Sequence, residues 1–221
     1  MRLGPADLAP LRALVGDGAL DYALVVAAFH FVNRVADLLQ VDPEVPGLPW
    51  LRRVEAIRQP VVHMMSWLVG RMDLAPRPYT RSFDDALALL PAGVDRAAFA
   101  PLAPRPQLVE AIALAADERE RRSSLDAALL ARVDATVAAA LPASVEEARG
   151  LHARPGDPVE AFAFVGTRYA QRTTAAMIDA LRDAGFDDLR LLDLAIAVAD
   201  ANQWERLRRL TGLPAASFAP S

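Results

Sequence analysis

The chain contains no cysteine. Disulfides, thiolate metal sites and thiol nucleophiles are therefore excluded, because each needs a sulfur that no other side chain supplies. Lysine is absent too: all 24 basic residues are arginine. An arginine cluster selected for phosphate would not remove lysine from the rest of the surface, so the bias points to a GC-rich genome rather than to a ligand. The balance is acidic, with a formal net charge of −4, and nucleic acid, whose phosphates require a basic face, is not an expected partner. Glycine is sparse at 11 residues, and runs of alternating β-branched residues, the mark of half-buried strands, are nearly missing. The longest uninterrupted apolar run, Ala23 to Phe29, is far shorter than the roughly 20 residues that cross a bilayer. Met1 is not followed by a basic, apolar, small-residue leader pattern. A cytoplasmic bacterial protein with no membrane partner is the expectation.

What is present is Ala, Leu, Val and Arg, a composition that favours helix, over 221 residues, long enough to bury a full-sized core. The fold class read from this is all-α, a single compact unit. Pro5 opens a first helix to about Val15, and Gly18 to Gln40 carries Leu20, Leu24, Ala27, Ala28, Phe31, Val35 and Leu38 at three- and four-residue steps. Pro49 opens a helix over Trp50 to Arg58, and Pro60 interrupts before Val61 to Arg71. The proline-rich stretch 73–106, with a short helix capped at Ser82, is read as a link between halves 1–72 and 107–221, with a lid or a wrapping arm as alternatives. Pro106 starts a helix to about Arg121, Ser123 or Ser124 caps one to Leu141, and Ser144 with Glu147 forms a capping-box pattern. Pro158 starts a helix to about Ala170, Thr173 or Thr174 caps one ending at Gly185, and a last helix runs from Asp187 or Asp188 to Gly212.

Two of these helices are copies of one pattern. Leu20 to Val41 aligns without a gap on Leu192 to Leu213, sharing Leu20/Leu192, Asp21/Asp193, Ala23/Ala195, Val26/Val198, Ala27/Ala199, Arg34/Arg206 and Leu38/Leu210. The polar positions differ: His30 falls on Asn202, Asn33 on Glu205 and Asp37 on Arg209. An arginine kept in both copies suggests a structural role, such as bonding helix-end carbonyls across a pseudo-twofold. The disagreement elsewhere suggests that any site lies in one half, near His30 and Arg34 rather than Asn202 and Arg206.

Phe29 to Leu39 (FHFVNRVADLL) and Ala180 to Leu194 (ALRDAGFDDLRLLDL) together resemble the alkylhydroperoxidase D-like, or carboxymuconolactone decarboxylase, superfamily, in its peroxidase-related branch. The likeness covers most of residues 160 to 213, and its latter half recurs over residues 8 to 41. It implies an alkylhydroperoxidase D-like helical domain and a homo-oligomer. Peroxidatic members carry Glu, eleven residues, Cys-x-x-Cys, three residues and His. Placing the glutamate at Glu110 puts the cysteine positions at Arg122 and Leu125 and the histidine position at Leu129, so every redox residue is replaced.

Candidate site residues follow from the helix surface and from that resemblance. His30, Asn33, Arg34 and Asp37 share one helical face. His30 suits proton transfer and Arg34 suits anchoring an anion; a surface ion pair of Arg34 with Asp37, and a packed His30, is the plainer alternative. The resemblance adds Glu110 as a third acid/base candidate. His63 among Met64, Met65 and Trp67 reads as core or interface, and His152 as a loop residue. Asp117 to Arg122 reads as a solvated helix end, with Glu118 or Glu120 as a less favoured general base. Three isolated histidines make no zinc-binding spacing, and no phosphate loop, dinucleotide fingerprint or nucleophile elbow occurs. No cofactor or metal is expected. Two functions stay open: a redox-inactive small-molecule-binding or assembly protein, or a non-thiol enzyme similar to the decarboxylase branch. A thiol peroxidase is excluded by chemistry, since no side chain here forms or resolves a sulfenic acid. Purified protein is expected to consume organic peroxide with a dithiol reductant no faster than a heat-killed control.

Overall fold

The computed structural model describes residues 5–39, 79–144, 146 and 156–213, and every regular element among them is helical. In chain order these are α1 (Pro5–Val15), α2 (Gly18–Leu38), α3 (Phe83–Ala88), a 3-10 helix over Arg96–Leu102, α4 (Pro106–Arg122), α5 (Ala127–Ala140), α6 (Pro158–Arg168), a 3-10 turn at Ala170–Arg172, α7 (Ala175–Asp183) and α8 (Asp188–Thr211). The helices expected over residues 50–58 and 61–71, the partner Glu147 of Ser144, and His63 and His152 lie outside the described residues. Residues 41–80 form a compact unit of their own, of which only Tyr79 and Thr80 are described.

Local chemistry accounts for most boundaries. Ser82 and Asp85 form a reciprocal capping box at α3, satisfying two otherwise orphaned N–H groups. Asp157 and Asp187 accept 2.8 Å bonds from the backbone N–H groups of Val159 and Arg190 at the starts of α6 and α8. At the other end, Gly185 and Gly212 adopt φ of 90° and 80°, the left-handed geometry that lets a helix close its last carbonyls. The start of α5 differs from expectation: its cap is Asp126, which accepts from Leu129 N–H. Ser123 Oγ accepts from Leu125 N–H, and Ser124 N–H donates to Asp193. Asp21, the acid equivalent to Asp193, accepts from Arg105 Nε at 2.9 Å. Each repeat acid thus ties down the residues just before a helix, α4 in one case and α5 in the other.

The repeat helices α2 and α8 pack along one another, and the two apolar clusters show that they run antiparallel. Leu20, Ala23 and Ala27 from the first half of α2 share a cluster with Leu207 and Leu210 from the end of α8. Leu38, from the end of α2, shares the other with Leu191, Leu194, Ala195 and Val198 from the start of α8. Within the proline-rich stretch 73–106, read as a link with a lid or a wrapping arm as alternatives, the described residues contribute core: Ala86, Leu90, Phe99 and Leu102 are buried in the cluster that holds Leu8, Leu20 and Leu108. The opposite face of α2 leaves Tyr22, Val25, Val26, Phe29 and Val32 exposed. By length and composition α2 also passes as a bilayer span, which the uninterrupted apolar run did not suggest.

Helix α6 crosses this pair at Gly166. A Cβ placed there would lie 2.8 Å from Val198 Cγ1 and 2.9 Å from Leu38 Cδ2, closer than packed carbons tolerate. Leu38 can swing its end away, whereas Val198, β-branched and inside a helix, has essentially one rotamer. Gly166→Ala gains helix propensity yet overpacks this crossing, and a net loss of about 1–2 kcal/mol in urea unfolding is expected. Adding Val198→Ala should recover part of the loss; strictly additive losses would contradict the clash.

Candidate functional site

Antiparallel packing of two copies of one helix has a geometric consequence for their polar positions. Leu38 and Val198 meet at Gly166, and stepping one turn along each helix brings Arg34 beside Asn202, then His30 beside Arg206. Thr167 of α6 joins the first pair. Its carbonyl accepts from Arg34 Nη2, while its hydroxyl donates to Ala163 O at 2.8 Å and accepts from Asn202 Nδ2 at 3.0 Å. Asn202 Nδ2 also donates to Val198 O at 2.8 Å, which fixes the amide orientation, since an oxygen there would face another acceptor. Asn202 is fully buried and its Oδ1 has no partner.

The second pair is seen in its electrostatics. The charged groups acting on His30 are Arg206 first and Arg34 second, and together with burial, the largest cause, they hold its imidazole below the ordinary histidine range. His30 is therefore neutral at pH 7. Burial first and Arg206 second bring the Arg34 guanidinium down to about 10, with Asp37 opposing, so it stays charged. Arg206 is lowered in the same way, by burial and then by Arg168. Arg168 makes one long bond, 3.4 Å to Leu141 O. Among the described residues no carboxylate forms an ion pair with Arg34, Arg168 or Arg206, and the Nε groups of Arg34 and Arg206 are buried without a partner. Three guanidinium groups thus converge on one seam in a chain whose net charge is negative.

Of the four residues expected on one face of α2, His30 and Arg34 turn into the seam, whereas Asn33 and Asp37 are exposed. Positions 30 and 34 continue the line of Ala23, Ala27 and Leu38, while 33 and 37 are rotated out of it. Glu110 is placed elsewhere: it pairs with Arg81 at 3.0 Å, half-sheltered on α4, and is not among the charges acting on His30 or Arg34. Arg34 does bond a helix-end carbonyl, at the last turn of α6, as its repetition suggested. Any site was expected nearer His30 and Arg34 than Asn202 and Arg206; in the fold Asn202 shares Thr167 with Arg34, and Arg206 is the leading charge acting on His30. Thr167 and Arg168 carried no sequence signal beyond following Gly166.

A second polar cluster lies where α4, α5 and α8 meet. Arg119 bonds Asp134 at 2.8 Å and approaches Asp200 at 3.9 Å, so this arginine of the charge run turns inward. Arg121, in contrast, pairs with Asp117 on the solvated side. Burial pushes the Asp200 carboxyl up to about 6, against the pull of Arg119 and of a Trp204 hydrogen bond and with a further push from Asp134.

No protein-family model matches the chain, and no similar protein is found among curated sequences or solved structures.

The Asp200 carboxyl is raised in the native state above the value near 3.8 of a free aspartate. The folded form holds a proton that the unfolded chain has lost, so this contribution is fully present below about pH 4 and disappears as pH rises through 6. Asp200→Asn removes the dependence. The wild type should lose on the order of 2 kcal/mol relative to Asp200→Asn between pH 4 and pH 7.5, measured by urea unfolding; a constant difference across that range would contradict the assignment.

Proposed function

We propose that this protein is a redox-inactive, alkylhydroperoxidase D-like helical protein that binds a small molecule at the seam between α2, α6 and α8. The observation that carries this reading is the set of partly buried guanidinium groups, Arg34, Arg168 and Arg206, that form no ion pair with a carboxylate among the described residues. A cation withdrawn from water without a partner costs stability, and a bound ligand removes that cost. The seam also combines one neutral imidazole, one orphaned amide oxygen and two orphaned N–H groups, a convergence of different polar groups against apolar walls. Absence of cysteine supports the redox-inactive part. The exposed stripe Tyr22, Val25, Val26, Phe29 and Val32 supports an additional role in assembly, as a homo-oligomer.

One observation favours a second reading, a non-thiol enzyme. His30 is kept neutral beside two guanidinium groups, which suits a general base acting on a substrate that the arginines hold. Glu110 has no part in it, being occupied by Arg81.

A thermal-shift screen of small metabolites distinguishes binding at the seam from binding elsewhere. A ligand present at about 100 times its Kd stabilises the native state by about 2.7 kcal/mol, a shift of several degrees. Arg206→Gln, which sacrifices no hydrogen bond among the described residues, should abolish the shift. Ligands that shift wild type and Arg206→Gln equally would place binding away from this seam.

A further inference from the structure

Resting on the binding reading above, we infer that the seam is a receptor for a small oxyanion that carries its own hydrogen-bond donor: hydrogen phosphate, or a carboxylate with an adjacent hydroxyl. The ligand class follows from what the seam offers and lacks. Arg34 has one guanidinium nitrogen committed to the Thr167 carbonyl, leaving its buried Nε undelivered. Among the described residues Arg206 makes no hydrogen bond, and its Nε is likewise buried and unpartnered. Guanidinium donors presented from two opposing helices match an oxyanion, which accepts several N–H bonds at once through charge-assisted contacts. A neutral ligand would leave the convergent positive charge of Arg34, Arg168 and Arg206 uncompensated.

The donor requirement comes from Asn202. Its Nδ2 is fully used by Thr167 Oγ1 and Val198 O, so it cannot rotate to offer a donor, and its fully buried Oδ1 is an acceptor with nothing to accept. Of the seam's other side chains, Thr167 spends its hydroxyl hydrogen on Ala163 O. An O–H on the ligand, one or two bonds from its anionic group, supplies the donor this oxygen lacks, which sulfate and simple carboxylates do not carry. His30 faces the same charges, and an anion placed between Arg34 and Arg206 must raise its depressed pKa by cancelling the repulsion of both. The charged groups that bear on this are Arg34 and Asp37 on α2, Arg168 on α6 and Arg206 on α8, with Arg172 on the 3-10 turn stacked against Tyr169 at 5.2 Å.

Full-length protein is titrated calorimetrically with size-matched pairs: inorganic phosphate against sulfate at pH 6, and glycolate against acetate. Phosphate or glycolate should bind roughly tenfold or more tightly than its donor-free counterpart, the cost of leaving a buried acceptor unpaired. Arg206→Gln should weaken either at least about tenfold. The pair that binds identifies whether the anionic group is phosphate or carboxylate. In wild type, the His30 ring resonances should titrate at higher pH with the bound anion present, a readout that survives if the variant fails to fold. Equal affinities within both pairs would overturn the donor requirement. No binding of any of the four, combined with an Arg206-dependent neutral ligand from the metabolite screen, would overturn the oxyanion class and leave binding at the seam standing.

Discussion

The close crossing at Gly166 is the constraint on which the rest depends. Without a Cβ there, α6 can sit directly on the line where Leu38 meets Val198, and this proximity inserts Thr167 between the two repeat helices. Thr167 then answers both: its carbonyl takes Arg34 and its hydroxyl takes Asn202. A bulkier residue at 166 would lift α6 away, and the polar groups of the seam would lose the one neighbour that holds them in register. The two apolar clusters on either side of the seam fix the antiparallel pairing, and the glycine fixes the third helix against it.

The scarcity of counter-charge at the seam is local, not compositional. Helix α8 itself shows how this chain treats buried or half-buried arginines elsewhere. Glu205 takes Arg208 and Arg209, each at 2.6 Å, and Arg119, reaching in from α4, finds Asp134 and Asp200. Asp200 and Glu205 lie on this same helix, Glu205 next to Arg206 in sequence. Its acids point to the other faces. That distribution separates arginines that stabilise helix packing from those that have been left free.

Much of the helical layout was legible because its determinants are local. Pro5, Pro106 and Pro158 at helix starts, the Ser82 capping box and Gly185 and Gly212 at helix ends each act within a few residues. The cap of α5 was not: Ser123 and Ser124 both have the chemistry of a cap, yet the bond from Leu129 N–H goes to Asp126. The stretch 73–106 was legible only in part: prolines mark interruptions of helix, but nothing in their spacing reveals that Phe99 and Leu102 are buried in a core built mainly by other segments. His30 and Arg34 were legible as a pair one turn apart. Glu110, supplied by resemblance, was not joined to them by the fold.

The repeat carried more information about the site than its substitutions suggested. When a duplicated helix packs antiparallel on its copy, a residue does not meet its own equivalent unless it lies on the axis; it meets the equivalent of its neighbour one turn away. His30 therefore faces Arg206, and Arg34 faces Asn202, so each repeat contributes one half of each pair. Replacing histidine by asparagine in the second copy does not remove a site from that half. It makes the two pairs different: the Asn202 side is locked by Thr167 and takes Arg34 into the structure, while the His30 side leaves Arg206 without a hydrogen bond among the described residues. Divergence at the 30/202 position, the one that faces the seam, is what frees one arginine of the pair, and the asymmetry of the seam, rather than either helix alone, is the property on which binding chemistry can act.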